Sequence, residues 1–320
     1  MKIVILDGHG LNPGDISWSG FEALGEVTLY ERTPVDDPQE IIHRIGDAQV
    51  ALSNKVPITE EILVACPNLE YVGVMATGFN QIDLAACAKH QVTVTNIPAY
   101  GSEAVAQFTF ALLLEITSQV AVHNASVKQG DWQRCPDFTY FVKPLMELRE
   151  KTIGLIGYGA IAQEVATIAH AFKMKVIYWN HREKTPQADW AQQVSLAELY
   201  QKADIISLHV PLFPETEKMI DQAAIEQMKV GAILINTARG PLLDEAAVAN
   251  ALHSGKLSAC GLDVVAKEPI EAENPLLTAP NCWLTPHIAW AAVETRERLM
   301  AIGVENLAQY VKGTPQNIVK

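Results

Sequence analysis

The sequence lacks the features that mark a membrane span, a metal centre or a nucleic-acid surface. No apolar run reaches the roughly 18 residues needed to cross a bilayer, and there is no low-complexity stretch. Cysteine is sparse. Cys66, Cys87, Cys135, Cys260 and Cys282 are odd in number, widely scattered and never in a Cys-x-x-Cys pair, which argues against a disulfide framework and a zinc site. They are read as reduced bystanders, and no metal is expected. Positive charge is in deficit, 24 Lys and Arg against 37 Asp and Glu, for a formal net charge of −13. Such a surface repels nucleic acid and anionic lipid, so an anionic ligand has to be met by a local cluster of cations.

What is present is ordinary globular material, 49% hydrophobic and 19% charged, enough to bury a real core. The amino terminus, Met1-Lys2-Ile3-Val4-Ile5-Leu6-Asp7, meets an acid after four apolar residues and has no cleavage site. It reads as a buried strand and not a signal peptide, so the chain is expected in the cytoplasm. A length of 320 residues suits two domains.

Short apolar runs at 3–6, 27–30, 50–52, 71–75 and 92–94 alternate with segments of helical period such as 59–65 and 83–89, which is βαβ patterning. The pattern restarts at Thr152 with runs at 153–156, 176–179, 205–209, 232–236, 261–265 and 283–285. The expected fold class is therefore α/β, two Rossmann-like doubly wound parallel-sheet domains with the active site in the cleft between them. The expected boundaries are 1–98 plus 288–320 for a substrate domain and 99–287 for a dinucleotide-binding domain; the last helix, about 291–311, has no sheet of its own left to cover and returns to the first domain. Residues 102–122 read as one long apolar helix. Beyond it 130–150 fits no period, and Trp132, Phe138, Tyr140 and Phe141 suit poorly a stretch left in water. An arm at 123–150 that packs on a second subunit, making a homodimer, is the favoured expectation, with a self-packed loop as the alternative.

Gly154-Leu155-Ile156-Gly157-Tyr158-Gly159-Ala160-Ile161-Ala162 follows a strand start and opens a helix. Gly157 permits a tight turn, Gly159 lets the backbone approach a pyrophosphate, and Ala162 is small enough for helix to pack on strand. The N–H groups of the helix start then face the anion. The second strand should end in an acid that grips the ribose hydroxyls of NAD. Here it ends Asn180-His181-Arg182, with Lys184 just beyond. Neutral plus basic suits a 2′-phosphate, so NADP is the preferred cofactor while NAD stays open; a solvated charged turn would look the same.

Three later strand ends carry polar residues that packing does not require: Arg239, Glu268 and His287. Reduction of a 2-keto acid by hydride needs a cation for the carboxylate and the carbonyl, which Arg239 supplies, and an acid for the developing alkoxide, which His287 supplies. A carboxylate beside the histidine, for which Glu268 is the candidate, stabilises the imidazolium. Each residue alone also suits a structural role, and only the constellation behind a dinucleotide fingerprint points to chemistry.

The fingerprint, Leu208-His209-Val210-Pro211, Asn236-Thr237-Ala238-Arg239-Gly240, Gly261-Leu262-Asp263-Val264, Glu268-Pro269 and Pro286-His287-Ile288 together resemble the D-isomer-specific 2-hydroxyacid dehydrogenases over nearly the whole chain. The resemblance implies that Arg239 binds substrate and that Glu268 and His287 form the acid/base pair. It also implies that Gly157, Tyr158, Gly159, Ala160, Ile161, Asn180, His181, Arg182, His209, Val210, Pro211, Thr237, Ala238, Asp263 and Val105 lie at the cofactor. Ala76, Thr77 and Gly78 would meet the substrate carboxylate through backbone N–H groups, and Tyr100 would border the substrate. Trp290, just after the histidine, resembles the glycerate dehydrogenase or hydroxypyruvate reductase branch and implies a small acid; a packing role beneath the last helix would also account for it. Two other activities share the scaffold, a nucleotide-sensing corepressor and a formate or phosphite dehydrogenase. The scarcity of residues outside the two domains speaks against the first, and Glu268 against the formate branch.

Overall fold

In a computed structural model, which describes residues 1–184, 186 and 188–320, the chain forms two compact units, 1–101 with 291–320, and 102–290. Each division falls three residues beyond the expected boundaries, because Ser102 starts a helix that belongs to the second unit and Trp290 still binds the turn that precedes it.

The first unit is a five-stranded parallel sheet in the order β2-β1-β3-β4-β5, with β1 Lys2–Ile5, β2 Glu26–Leu29, β3 Val50–Ser53, β4 Tyr71–Val74 and β5 Thr93–Thr95. The central strands β3 and β4 are buried on both faces, whereas the edge strand β2 is largely exposed, which is why their sequences run apolar without alternating. Asp37 and Asp83 cap the helices Pro38–Ile45 and Leu84–Lys89; such caps contribute about 1 kcal/mol each. The returning helix Val293–Val311 packs on this sheet. Arg296, nearly buried, is held there by a two-pronged ion pair with Asp15 (2.7 and 2.6 Å), and Gly303 admits Met75 and Phe21 against the helix backbone.

The second unit is a seven-stranded parallel sheet in the order β12-β11-β10-β9-β6-β7-β8. Its strands are β6 Thr152–Ile156, β7 Lys175–Trp179, β8 Ala191–Gln193, β9 Ile205–Leu208, β10 Ala232–Asn236, β11 Leu257–Leu262 and β12 Cys282–Leu284. Both faces are covered by helices. On one, Ala106, Phe110 and Leu113 from the Ser102–Ser118 helix meet Val165, Ala166 and Ala169 from the Ala160–Ala171 helix over Ile153, Leu155 and Ile233. Each of the larger side chains here, Val, Leu, Ile or Phe, is worth roughly 1.5–3 kcal/mol when fully buried.

The structure corrects the sequence reading at five points. The helix read as 102–122 breaks at Gln119, which has a left-handed φ of 52°, and continues as Val120–Lys128 bent by 54°. The irregular stretch contains a further short helix, Asp131–Arg134. Strand β8 was not expected, since Ala-Gln-Gln carries no β signal. Strand β11 ends at Leu262 and not at Val265, because Asp263 leaves the ladder to bind the turn after β12. Two cysteines read as scattered lie side by side, Cys260 and Cys282 in register on β11 and β12 with sulfurs 3.3 Å apart. No single helix among the described residues is long and apolar enough to cross a membrane.

Candidate active site

The glycine-rich turn joins β6 to the Ala160–Ala171 helix. Gly157 has φ +92°, and a Cβ there would lie 2.6 Å from the His209 carbonyl oxygen, so only glycine fits where β6 and β9 end side by side. No side chain caps this twelve-residue helix, and the N–H groups of Gly159, Ala160 and Ile161 meet no acceptor among the described residues. Free amides at a helix start fit a pyrophosphate. Ala162, on the inner face of this helix, is fully buried in the core, as the fingerprint requires.

Tyr158 offers backbone only. Its ring is fully buried and stacked on Tyr178 at 3.7 Å, and its N–H donates to Asn180 Oδ1 (3.3 Å). Asn180 in turn donates to the Arg182 carbonyl (3.0 Å), so the amide read as a ribose ligand also braces its own loop. Lys184 is the most firmly placed cation there. Its Nζ donates to the Tyr158 carbonyl (2.7 Å), its N–H to Gln193 Oε1 (3.0 Å), and its carbonyl accepts from Tyr178 Oη (2.8 Å). Arg182 and His181 are exposed.

Beyond β9, His209 is half-buried with Nε2 2.9 Å from Ser207 Oγ, and desolvation of the ring pushes its imidazole down to about 3, which keeps it neutral. Val210 is buried and Pro211 exposed beside it. Thr237, after β10, meets Thr109 (3.1 Å), whose hydroxyl also bonds the Val105 carbonyl (2.9 Å). The structure thus brings the expected cofactor residues Val105 and Thr237 into one neighbourhood.

The three polar strand ends belong to adjacent strands, β10, β11 and β12. Fully buried Asn236 shapes the first turn, accepting from Ala238 N (2.9 Å) and donating to the Arg239 carbonyl (2.8 Å). This projects Arg239, whose guanidinium bonds the Ala238 carbonyl (2.7 Å) and forms no ion pair among the described residues. Gly240 then presses on the segment after β11, where a Cβ would fall 1.9 Å from the Val265 carbonyl. That segment carries Glu268, whose Oε2 lies 2.7 Å from His287 Nδ1, both side chains about one-third exposed. Asp263 holds the His287 turn, accepting from Thr285 Oγ1 (2.7 Å), Ile288 N (2.9 Å) and Ala289 N (2.8 Å). Burial pushes this carboxyl up, against those hydrogen bonds and the nearby His287, which favour the charged form. Trp290 Nε1 donates to the His287 carbonyl (2.9 Å), so the indole is tied to the same turn.

In the first unit, the loop after β4 is pinned at Ala76, whose carbonyl accepts from Ile97 N (3.0 Å), and at Thr77, which bonds Ile97 and Asn96 (2.8 and 2.7 Å). The N–H groups of Thr77 and Gly78 donate to nothing among the described residues, as an anion site would leave them. Tyr100 is half-buried, and its carbonyl accepts from Arg298 Nε (3.1 Å).

Sequence reasoning missed Asn236 as the shaper of the Arg239 turn and Asp263 as the clamp on His287. A polar residue closing an apolar strand was the available signal in both cases.

The family model described as "D-isomer specific 2-hydroxyacid dehydrogenase, NAD binding domain" matches residues 110–289. Over 100% of its length the chain is 48% identical to a hydroxypyruvate reductase of Blautia hydrogenotrophica, covering 99% of that protein. It is 38% identical to a glycerate dehydrogenase of Methylorubrum extorquens, again over 100% of this chain and 99% of the relative. Among solved structures it is similar to an acyclic imino acid reductase in complex with NADPH and D-Arg, at TM-score 0.87 and 32% identity with 100% of both chains covered.

Proposed function

The chain belongs to the D-isomer specific 2-hydroxyacid dehydrogenase family, and from that premise we propose that it reduces hydroxypyruvate, glyoxylate or a similarly small 2-keto acid to the D-2-hydroxy acid, with NADPH preferred over NADH. That it is a nicotinamide-dependent oxidoreductase of small hydroxy or keto acids follows from family membership itself. The observation that carries the mechanism is the 2.7 Å contact between Glu268 and His287 Nδ1.

The cofactor, when bound, supplies the hydride to the carbonyl carbon. Arg239 binds the substrate carboxylate and polarises the carbonyl. His287, its Nδ1–H directed to Glu268, presents Nε2 to the carbonyl oxygen and delivers the proton that the new alkoxide takes up. The carboxylate stabilises the imidazolium before transfer and fixes the tautomer after it. In the first unit taken by itself, the N–H groups of Thr77 and Gly78, without an acceptor among the described residues, suit a carboxylate, and in the second those of Gly159, Ala160 and Ile161 suit the pyrophosphate. Trp290, tied to the His287 turn, supports a small substrate.

NADPH preference is supported by the absence of an acid at position 180 and by the cations Arg182 and Lys184. The relative solved with NADPH is consistent with it. A homodimer through 123–150 is supported by exposed aromatics in that arm, Phe138 at 88% and Phe141 at 72% exposure.

The experiment is a panel of hydroxypyruvate, glyoxylate, pyruvate, phenylpyruvate, and formate and phosphite in the oxidative direction, each with both cofactors. Highest kcat/KM on hydroxypyruvate or glyoxylate supports the reading; turnover confined to phenylpyruvate, formate or phosphite overturns it.

A further inference from the structure

Glu245 opens the Glu245–Ser254 helix but does not cap it, since Asp244 takes that part by accepting from Ala247 N (3.1 Å). Its own carboxylate reaches across to the segment that carries Glu268. Oε1 accepts from Ala266 N (2.7 Å), at the start of that segment, and Oε2 from Asn274 Nδ2 (2.9 Å), at its end. Between these points residues 267–273 are exposed, and the Glu268 side chain, one-third exposed, also accepts from Val265 N through Oε1 (3.4 Å), so its place depends on how the start of the segment is held. The base of the helix is firm by contrast, with Ala247, Val248, Ala251 and Leu252 buried in the core. Asn274 is itself tied down, accepting from Leu276 N (3.0 Å) where buried Leu276 enters the core.

We propose that Glu245 is a positioning residue for the acid/base pair, clamping both ends of the 266–274 segment so that the Glu268 carboxylate stays on His287. The proposal rests on the assignment of Glu268 and His287 given above. The acids facing His287 are Glu268 and, from the end of β11, Asp263; Lys267 on the same segment is paired with Glu271. With the clamp removed, Glu268 leaves the imidazole for part of the time, and the imidazolium is less favoured.

The test is the pH profile of kcat/KM for hydroxypyruvate reduction in the full chain, for wild type, Glu268→Gln, Glu245→Ala, Glu245→Gln and the double variant Glu245→Ala/Glu268→Gln. The expected result is that Glu245→Ala moves the pH at which reduction fades downward, in the direction set by Glu268→Gln, with kcat about tenfold to a hundredfold lower, as misplacement of a catalytic group by about 1 Å costs. In the double variant the limb sits where Glu268→Gln alone puts it. Glu245→Gln, which keeps an acceptor for Ala266 N–H, shifts the limb less and supplies the reading if Glu245→Ala is insoluble. A uniform loss of rate with the limb unmoved in both position-245 variants overturns the proposal, as does a further shift in the double variant. An unmoved limb in Glu268→Gln is a different result, which removes the acid/base pair itself.

Discussion

Asp263 and His287 are joined through backbone and side chain at once. The Asp263 carbonyl accepts from His287 N (2.8 Å), and its carboxylate takes the next two amides, those of Ile288 and Ala289 (2.9 and 2.8 Å). With the Thr285 hydroxyl (2.7 Å), four hydrogen bonds to one residue thus fix a turn in which His287 has a φ of 55°, a left-handed conformation uncommon outside glycine. The clamp sets where the imidazole points.

Asp263→Asn is nearly isosteric but turns one acceptor into a donor facing amide donors. It is expected to lower kcat by at least about tenfold through misplacement of His287, and stability by about 1–3 kcal/mol through the unmet hydrogen bonds. Steady-state kinetics and denaturant unfolding check both. Wild-type kcat would show that the turn holds without the clamp.

Asp263 also illustrates how far the sequence could be read. The two parallel sheets were legible because each core strand, such as Val50–Ser53 or Ala232–Asn236, is a run of apolar residues buried on both faces. The contact of Glu268 with His287 was legible because Arg239, Glu268 and His287 follow three apolar strands, β10 and β11 largely buried and β12 half-buried, at ends where packing has no use for charge. Less legible were features set by tertiary contact. Nothing local marks Ala191–Gln193 as a strand, since β7 alone holds it in the sheet. The break at Gln119 hides inside an apolar helix, where the Gln119 amide bonds the Ile116 carbonyl (2.8 Å). That Asp263 grips a turn 22 to 26 residues later depends on β11 and β12 being neighbours, which periodicity does not reveal.

The cofactor reading is tested at the loop after β7. With no acid at position 180, kcat/KM is expected to favour NADPH by about tenfold or more, the worth of one charge-assisted hydrogen bond to a 2′-phosphate. Arg182→Ala should shrink that ratio. A wild-type ratio in favour of NADH, or one unchanged in Arg182→Ala, would mark the basic loop as a solvated turn.

The arm is tested by native mass. Phe138 and Phe141 stand in water in the isolated chain, so wild type is expected at twice the 35.0 kDa of one chain. Phe138→Ser/Phe141→Ser should dissociate. A monomeric wild type would contradict the dimer.

Half-buried His209 gives stability a definite pH dependence. Burial pushes it down to about 3 in the folded protein, whereas an unfolded chain binds that proton near pH 6.5. Between these values the unfolded state holds more protons, so the contribution is intact above about pH 6.5 and lost as pH falls, by about 1.4 kcal/mol per unit. Unfolding free energies of wild type and His209→Gln from pH 7 to 4 should therefore converge toward acid. Parallel curves would show that His209 is protonated in the fold.

The most direct measurement is hydroxypyruvate reduction by wild type, His287→Ala and Arg239→Ala, with cofactor binding followed separately by fluorescence. With His287 as proton donor and Arg239 as carboxylate ligand, each variant should lose about a hundredfold or more in kcat/KM while cofactor affinity and fold are kept. Wild-type kinetics in either variant would contradict the assignment of the site.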